Sequence, residues 1–356
     1  MNVIRAWYER NFSDPQAVIL ALFLISGFVI VIFWGRMLAP LLVSVVIAYL
    51  LEAIVLSLEK KGMPRISSVL IVFIVFVFVF LLLILMLIPV LSGQVAQLMQ
   101  ELPRQIDGGQ QLLMRLPEMY PQLISEDQVK DIMSTLRREL TDLGQTLLSI
   151  SISSIPELIA LAVYLILVPL LVFFFLKDKQ LILNWIASYL PKQRSLSARV
   201  WDEMDQQIGN YVRGKFSEIL IVGSTSYVVF VLMGLNYAAL LGALVGLSVI
   251  IPYIGAAVVT IPIAMIAFFQ WGWGSEFAYL IVAYGIIQAL DGNVLVPLLF
   301  SEAVNLHPVA IIVAVLLFGG LWGFWGVFFA IPLATLVKAV LNAWPKQEQF
   351  DPISEG

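Results

Sequence analysis

The chain has 356 residues, 61% of them hydrophobic and 12% charged, with a formal net charge of -4. Soluble domains carry about twice that share of charge, so composition alone excludes a soluble globular protein. The absence of cysteine excludes disulfides, thiol catalysis and cysteine-ligated metals, and the single histidine, His307, argues against a histidine metal site. No basic patch exists to neutralise phosphates, so nucleic acid is not expected as a partner, and no cofactor is expected.

A membrane crossing takes about 20 apolar residues. The first such run, 17–34, is too long for a signal-peptide core and reads as an uncleaved span. It and 38–56 predict a tight helical pair turning at Gly35 and Arg36. Further spans are expected at 69–91, ending near Pro89, and at 156–176, 218–235 and 277–300. Two stretches, 237–271 and 307–341, are too long for one straight crossing. Each is interrupted near its middle, one at Pro252-Tyr253-Ile254-Gly255 and the other at Gly319-Gly320-Leu321-Trp322-Gly323.

Basic residues set the orientation. Lys60, Lys61 and Arg65 follow the second span, and Lys177, Lys179, Lys192, Arg194, Arg199, Arg213 and Lys215 follow the fourth, so both segments are assigned to the cytoplasm. Arg5 and Arg10 at one terminus, and Lys338 and Lys346 at the other, fit the same side of a bacterial inner membrane. Residues 92–155 then form an extracytoplasmic helical module. In it Ser125-x-x-Gln128 reads as a capping box. Val129, Met133, Leu136, Leu140, Leu143 and Leu147 make a heptad seam, either for a helix of the same chain or for another subunit. In the cytoplasmic linker, 177–217, Leu196, Val200, Met204, Ile208 and Val212 share a face that predicts a helix along the membrane surface. The tail 345–356 is short and polar, as expected of a disordered terminus.

The two interrupted stretches resemble each other. One reads Gly255-Ala-Ala-Val-Val-Thr-Ile-Pro262-Ile-Ala264 and the other Gly326-Val-Phe-Phe-Ala-Ile-Pro332-Leu-Ala334, their prolines 70 residues apart. Their short halves predict two re-entrant hairpins in an inverted repeat; four short crossings are the alternative. Broken helices at membrane depth must line a cavity or pack in protein, and paired breaks point to a binding site. Glycine and proline are also common in ordinary membrane helices. The expected fold is an all-α polytopic bundle of six full spans plus two hairpins, or 8–10 spans, with 1–91 as N-terminal helices and 218–344 as one C-terminal unit holding both hairpins.

No Lys or Arg occurs between Lys215 and Lys338, and only Glu218, Glu276, Asp291 and Glu302 are acidic there. Asp291 lies about 20 Å into its span, counting 1.5 Å per residue. A carboxylate at that depth costs at least about 2.5–3.5 kcal/mol, so it should face a cavity or a partner. Gln288 and Tyr284 share its helix face, while Gly292, Asn293 and Pro297 predict a loosened helix beyond it. Such a group suits a proton, a cation or a polyhydroxylated solute; a structural polar contact between helices is the plainer alternative. Glu302, Asn305 and His307 follow at the cytoplasmic end, where His307 either titrates or caps a helix. Glu52 and Glu218 are expected at the membrane interface, as are Trp271, Trp273, Trp322 and Trp325. Gly209-x-x-x-x-Gly214-Lys215 mimics a phosphate loop, but Phe216 stands where a magnesium-binding Ser or Thr belongs and no strand precedes it. Intramembrane proteolysis lacks a second facing carboxylate or a glycine-framed serine, so an enzyme is not expected.

Phe173-Phe-Phe-Leu-Lys177-Asp178, Pro252-Tyr-Ile-Gly255, Gln288-Ala-Leu-Asp-Gly-Asn293 with Pro297, Leu306-His-Pro308, Gly319-Gly320 and Ile331-Pro-Leu-Ala334 occur in this order over nearly the whole chain. In order and spacing they resemble the autoinducer-2 exporter family, whose members often carry Glu where this chain has Asp291. The resemblance implies an inner-membrane permease with a mobile transport unit, assembled as a homo-oligomer and specifically a pentamer. Family members are linked to export of autoinducer-2 and others to sodium/proton exchange. The readings carried forward are a transporter of a small polar solute, a cation/proton antiporter using Asp291, and a membrane scaffold. The expected pathway comprises Tyr284, Gln288, Asp291, Asn293, Pro252, Tyr253, Gly255, Glu302, Asn305, His307, Gly319, Gly320 and Gly323.

Overall fold

The computed structural model describes residues 15–113, 155–189, 195–300 and 306–343, with isolated helical positions between 127 and 138. No strand occurs among the described residues. That suits a chain whose backbone groups must be satisfied within each helix. In chain order α1 is Pro15–Lys60, and α2, Arg65–Leu82, passes through a π-helical turn at Leu83–Leu87 into α3, Ile88–Leu113. α4 is Ile155–Lys177, α5 Lys179–Ser188 and α6 Ser195–Leu232. α7, Ala238–Ser248, and α8, Ile254–Trp271, form the first hairpin. α9, Ser275–Leu290, passes through a second π-helical turn at Asp291–Leu295 into α10, Val296–Phe300. α11, Pro308–Trp322, turns through α12, Phe324–Phe328, into α13, Ala330–Ala343, to make the second hairpin. Five of the described helices are long and apolar enough to cross a membrane: Met37–Lys60, Arg65–Glu101, Met204–Leu232, Ile254–Trp271 and Ser275–Phe300.

Three sequence expectations give way here. The pair turning at Gly35 and Arg36 is instead one helix of 46 residues. A single glycine inside a helix costs only about 1 kcal/mol and nothing beside it imposes a turn. The cytoplasmic placement of the N-terminus rests on Arg5 and Arg10, which lie outside the described residues. The surface helix and the fifth span are likewise one helix, α6, of 38 residues. Pro89 does not end its span. Both π turns are followed two residues later by a proline, Pro89 and Pro297. A proline cannot donate to the carbonyl four residues back and its ring crowds it. Those carbonyls, on Leu85 and Asn293, fall inside the two wide turns, which absorb the defect without breaking the helix. In the segment expected to be extracytoplasmic Asp127, Lys130, Asp131, Ser134, Thr135 and Arg138 are helical and exposed. The seam residues from Val129 to Leu147 lie outside the described residues, as do the tail and its predicted disorder.

The paired hairpins share a contact that their sequences foreshadow. At Gly255 a Cβ would stand 1.7 Å from the Ser248 carbonyl oxygen, and at Gly326 it would stand 1.8 Å from that of Phe318. In each hairpin the glycine at the head of the repeat therefore lets the chain just beyond the break touch the backbone of the first arm. The second break falls at Gly323, with φ 59°, while Gly319 and Gly320 lie within α11.

The chain forms two compact units. The first draws on Met1–Val69, Val168–Gly214 and Phe300–Gly356, the second on Leu70–Leu167 and Lys215–Leu299, so the second hairpin belongs to the first unit and the first hairpin to the second. In the first unit Met204 and Ala339 form a small core with Ile208, Leu336 and Val340, packing α6 on α13. Glu52, expected at the interface, is buried: it lies 3.3 Å from Arg65 and 3.1 Å from Lys179, and Arg65 also donates to the Leu176 carbonyl at 2.8 Å. In the second unit α6 to α9 pack around Phe230, Leu241, Val245, Ile263, Leu280 and Tyr284. α3 joins them through Gln94, which accepts from the Leu240 N–H at 2.8 Å, and Glu101, which accepts from the Tyr237 hydroxyl at 2.6 Å.

Candidate transport site

The second unit holds a polar cluster in its apolar core. On α6, Lys215, Glu218, Val222, Ser226 and Phe230 recur every three or four residues, and all are at most 4% exposed. They form one stripe, because residues three and four apart share a helix face. The Lys215 ammonium lies 2.6 Å from Glu218 Oε2 and donates to the Val249 carbonyl at 2.8 Å. Val249 follows the last turn of α7. Helix ends leave carbonyls unsatisfied, so a lysine there supplies both a donor and a charge of the favourable sign.

α9 supplies the opposite wall. The Tyr284 and Phe230 rings are 6.3 Å apart. The Tyr284 hydroxyl donates to the Ala256 carbonyl at 3.4 Å and is hydrogen-bonded to Thr260. It thus reaches the start of α8 just beyond the hairpin break. Asp291, at the first position of the π turn, is within electrostatic reach of Lys215, Glu218 and Tyr284. Ser226 Oγ, Gln288 Nε2 and Asp291 Oδ1 are buried with no hydrogen-bond partner among the described residues. Leaving a buried polar atom unpaired costs about 1–3 kcal/mol. An ion pair such as Lys215–Glu218 commonly stabilises less than an apolar pair of the same size. A bundle needing only a core would have little use for either.

The structure brings together Tyr284, Gln288 and Asp291, and it sets the Pro252–Gly255 turn beside the carbonyls that Lys215 and Tyr284 bind. Tyr253 sits at φ 64°, in a tight turn closed by the Ile254 N–H to the Pro252 carbonyl at 2.7 Å. Asn293 does not join the cluster: it is exposed, and its amide donates back to Ala289 at 2.8 Å on its own helix. His307 caps α11, its Nδ1 accepting from the Val309 N–H at 3.2 Å. It lies in the first unit, as do Gly319, Gly320 and Gly323. Glu302 and Asn305 lie outside the described residues.

Two central members were not among the sequence candidates. Glu218 is buried rather than interfacial, and Lys215, read from the sequence as a cytoplasmic basic residue and as part of a false phosphate loop, is buried too. Their signal is register. The apolar face through Met204, Ile208 and Val212, continued past Gly214, places Lys215 and Glu218 on the buried side with Val222 and Ser226.

Apolar helices of crossing length, paired broken hairpins and a buried charged cluster within two of those helices point to a polytopic membrane protein of the transporter class. A family profile described as "AI-2E family transporter" matches residues 18–346, and the chain belongs to that family. It is 49% identical over 345 residues to the Escherichia coli (strain K12) protein named "Putative permease PerM", covering 97% of this chain and 98% of that one. It is 27% identical over 316 residues to "Putative transport protein YueF" of Bacillus subtilis (strain 168), covering 87% and 84%.

Proposed function

We propose that the chain is an inner-membrane secondary permease that exports a small polar solute, of the autoinducer-2 kind suggested by its family, past the polar cluster of the second unit. The observation that carries this reading is that three buried polar atoms, on Ser226, Gln288 and Asp291, have no hydrogen-bond partner among the described residues, in a unit that also buries the Lys215–Glu218 ion pair. Donors and acceptors held in a desolvated setting suit a hydroxylated solute, which would supply the missing hydrogen bonds on arrival. In this reading the 60–65 loop and the C-terminus are cytoplasmic, and the chain works as a homo-oligomer, taken as a pentamer from the family resemblance.

A second reading, cation/proton antiport with Asp291 as carrier, is favoured by the excess of carboxylates over ammonium groups in the cluster. Flux in proteoliposomes of the purified protein separates the two, using autoinducer-2-like sugars and a pH-sensitive dye under sodium or potassium gradients. Solute movement without a dye response supports the permease. A cation-dependent dye response that Asp291→Asn abolishes supports antiport. Silence in every assay from an intact oligomer would overturn both and leave a scaffold.

A further inference from the structure

Among the described residues, the charges buried in the second unit's core are few. Lys215 and Glu218 come from α6 and Asp291 from the turn after α9. α7 and α8 bring none, because no charged residue occurs between Glu218 and Glu276. Glu276 is exposed at the opposite end of α9, about 22 Å from Asp291 along the helix. From α3, Glu101 is engaged by the Tyr237 hydroxyl. Among the described residues, the other titratable group facing the cluster is the Tyr284 phenol, which is hydrogen-bonded to Ala256 and Thr260. One ammonium against two carboxylates leaves one negative charge unbalanced, in a low-dielectric interior where such a charge is strongly disfavoured.

We propose that Lys215 is a resident counter-ion and that Glu218 and Asp291 together hold one exchangeable positive charge, a proton or an alkali-metal ion. The inference rests on the transport role proposed for this cluster and assigns it a stoichiometry of one. Lys215 is fixed in place by Glu218 and by the Val249 carbonyl, so it remains while the other charge comes and goes. Asp291 Oδ1, buried and without a hydrogen-bond partner among the described residues, is where that charge is received. A divalent ion would overshoot neutrality. Either carboxylate alone would already be balanced by Lys215. Glu218 is therefore as necessary to uptake as Asp291, although it lies deeper.

Infrared spectroscopy of the full-length protein in lipid nanodiscs tests the count. Carboxylic-acid C=O absorption is followed over about pH 5–8 with choline as the only added cation. The expected result is a band worth one carboxylic acid in the wild type, lost in both Glu218→Gln and Asp291→Asn. The band should double in Lys215→Met and stay single in Lys215→Arg. Sodium or potassium that erases the wild-type band at constant pH identifies an alkali-metal ion as occupant; indifference to both identifies the proton. A full band in Glu218→Gln, or an unchanged one in a Lys215→Met protein that elutes like the wild type, overturns the proposal. Should Lys215→Met not fold, the Glu218→Gln and Lys215→Arg results decide. The band is an equilibrium property, so absent solute flux with the band intact would sink the transport reading and not this one.

Discussion

Replacing Gly255 with alanine would place a methyl carbon 1.7 Å from the Ser248 carbonyl oxygen and 2.6 Å from its carbon. A carbon and a carbonyl oxygen settle at about 3.3 Å, so the arms of the first hairpin must part by about 1.6 Å. Both atoms it meets belong to backbone, so no side-chain rotation relieves the clash. Overpacking of this kind costs about 1–3 kcal/mol, and more where backbone must move. Gly326→Ala meets the Phe318 carbonyl oxygen at 1.8 Å and should cost as much. Gly292→Ala is the control: nothing lies within 4 Å of its added Cβ, and in a helix the change is neutral or stabilising by up to about 1 kcal/mol. The assay is the thermal midpoint of detergent-purified protein, read by loss of the oligomer peak on gel filtration. Both hairpin variants should melt well below the wild type and Gly292→Ala at or above it. If Gly255→Ala and Gly326→Ala melt with the control, the close contact does not hold the arms together and the structural repeat has no mechanical meaning.

His307→Asn keeps an N-cap acceptor and should leave stability and flux unchanged, whereas His307→Ala should cost about 1 kcal/mol, read as a lower melting midpoint, also without loss of flux. A tenfold fall in flux for the asparagine variant would return His307 to the pathway. Glu52→Gln leaves Arg65 and Lys179 without their shared carboxylate; both are partly exposed, so the expected loss is about 1.5 kcal/mol, again read as melting midpoint. An unshifted midpoint would mean that solvent already satisfies both cations.

What could be read from the sequence was local chemistry. Pro252 and the 319–323 glycines mark breaks because proline and glycine act on their own backbone, although the second turn settled on Gly323 alone. Asp291 could be singled out because a carboxylate amid apolar residues is costly wherever the helix packs. The π turn after it was foreseen only as loosening, and its twin before Pro89 was read as an end. Less legible was whatever depends on neighbours. Whether Lys215 and Glu218 face lipid headgroups or a core is decided by α7 and α9 covering them. Whether Gly35 bends a helix is decided by packing on either side of it. Asn293 illustrates the same limit: its spacing from Asp291 suits a shared site, but in the wide turn its amide folds back onto Ala289.

The two hairpins also explain why the charge on Lys215 calls for a reason beyond architecture. Each hairpin has a carbonyl near its break that meets a donor from α6. In the first unit the Tyr211 hydroxyl donates to the Phe328 carbonyl at 3.0 Å; in the second, Lys215 donates to Val249 at 2.8 Å. The phenol does this without charge, with the rings of Phe300 and Phe328 centred 5.8 and 6.2 Å from its own. A neutral donor therefore suffices to satisfy a hairpin carbonyl in this fold. An ammonium in the corresponding role obliges the core to hold a carboxylate, and the second unit holds two. The extra carboxylate is what architecture does not require, and it is the part of the cluster that a mobile cation can answer.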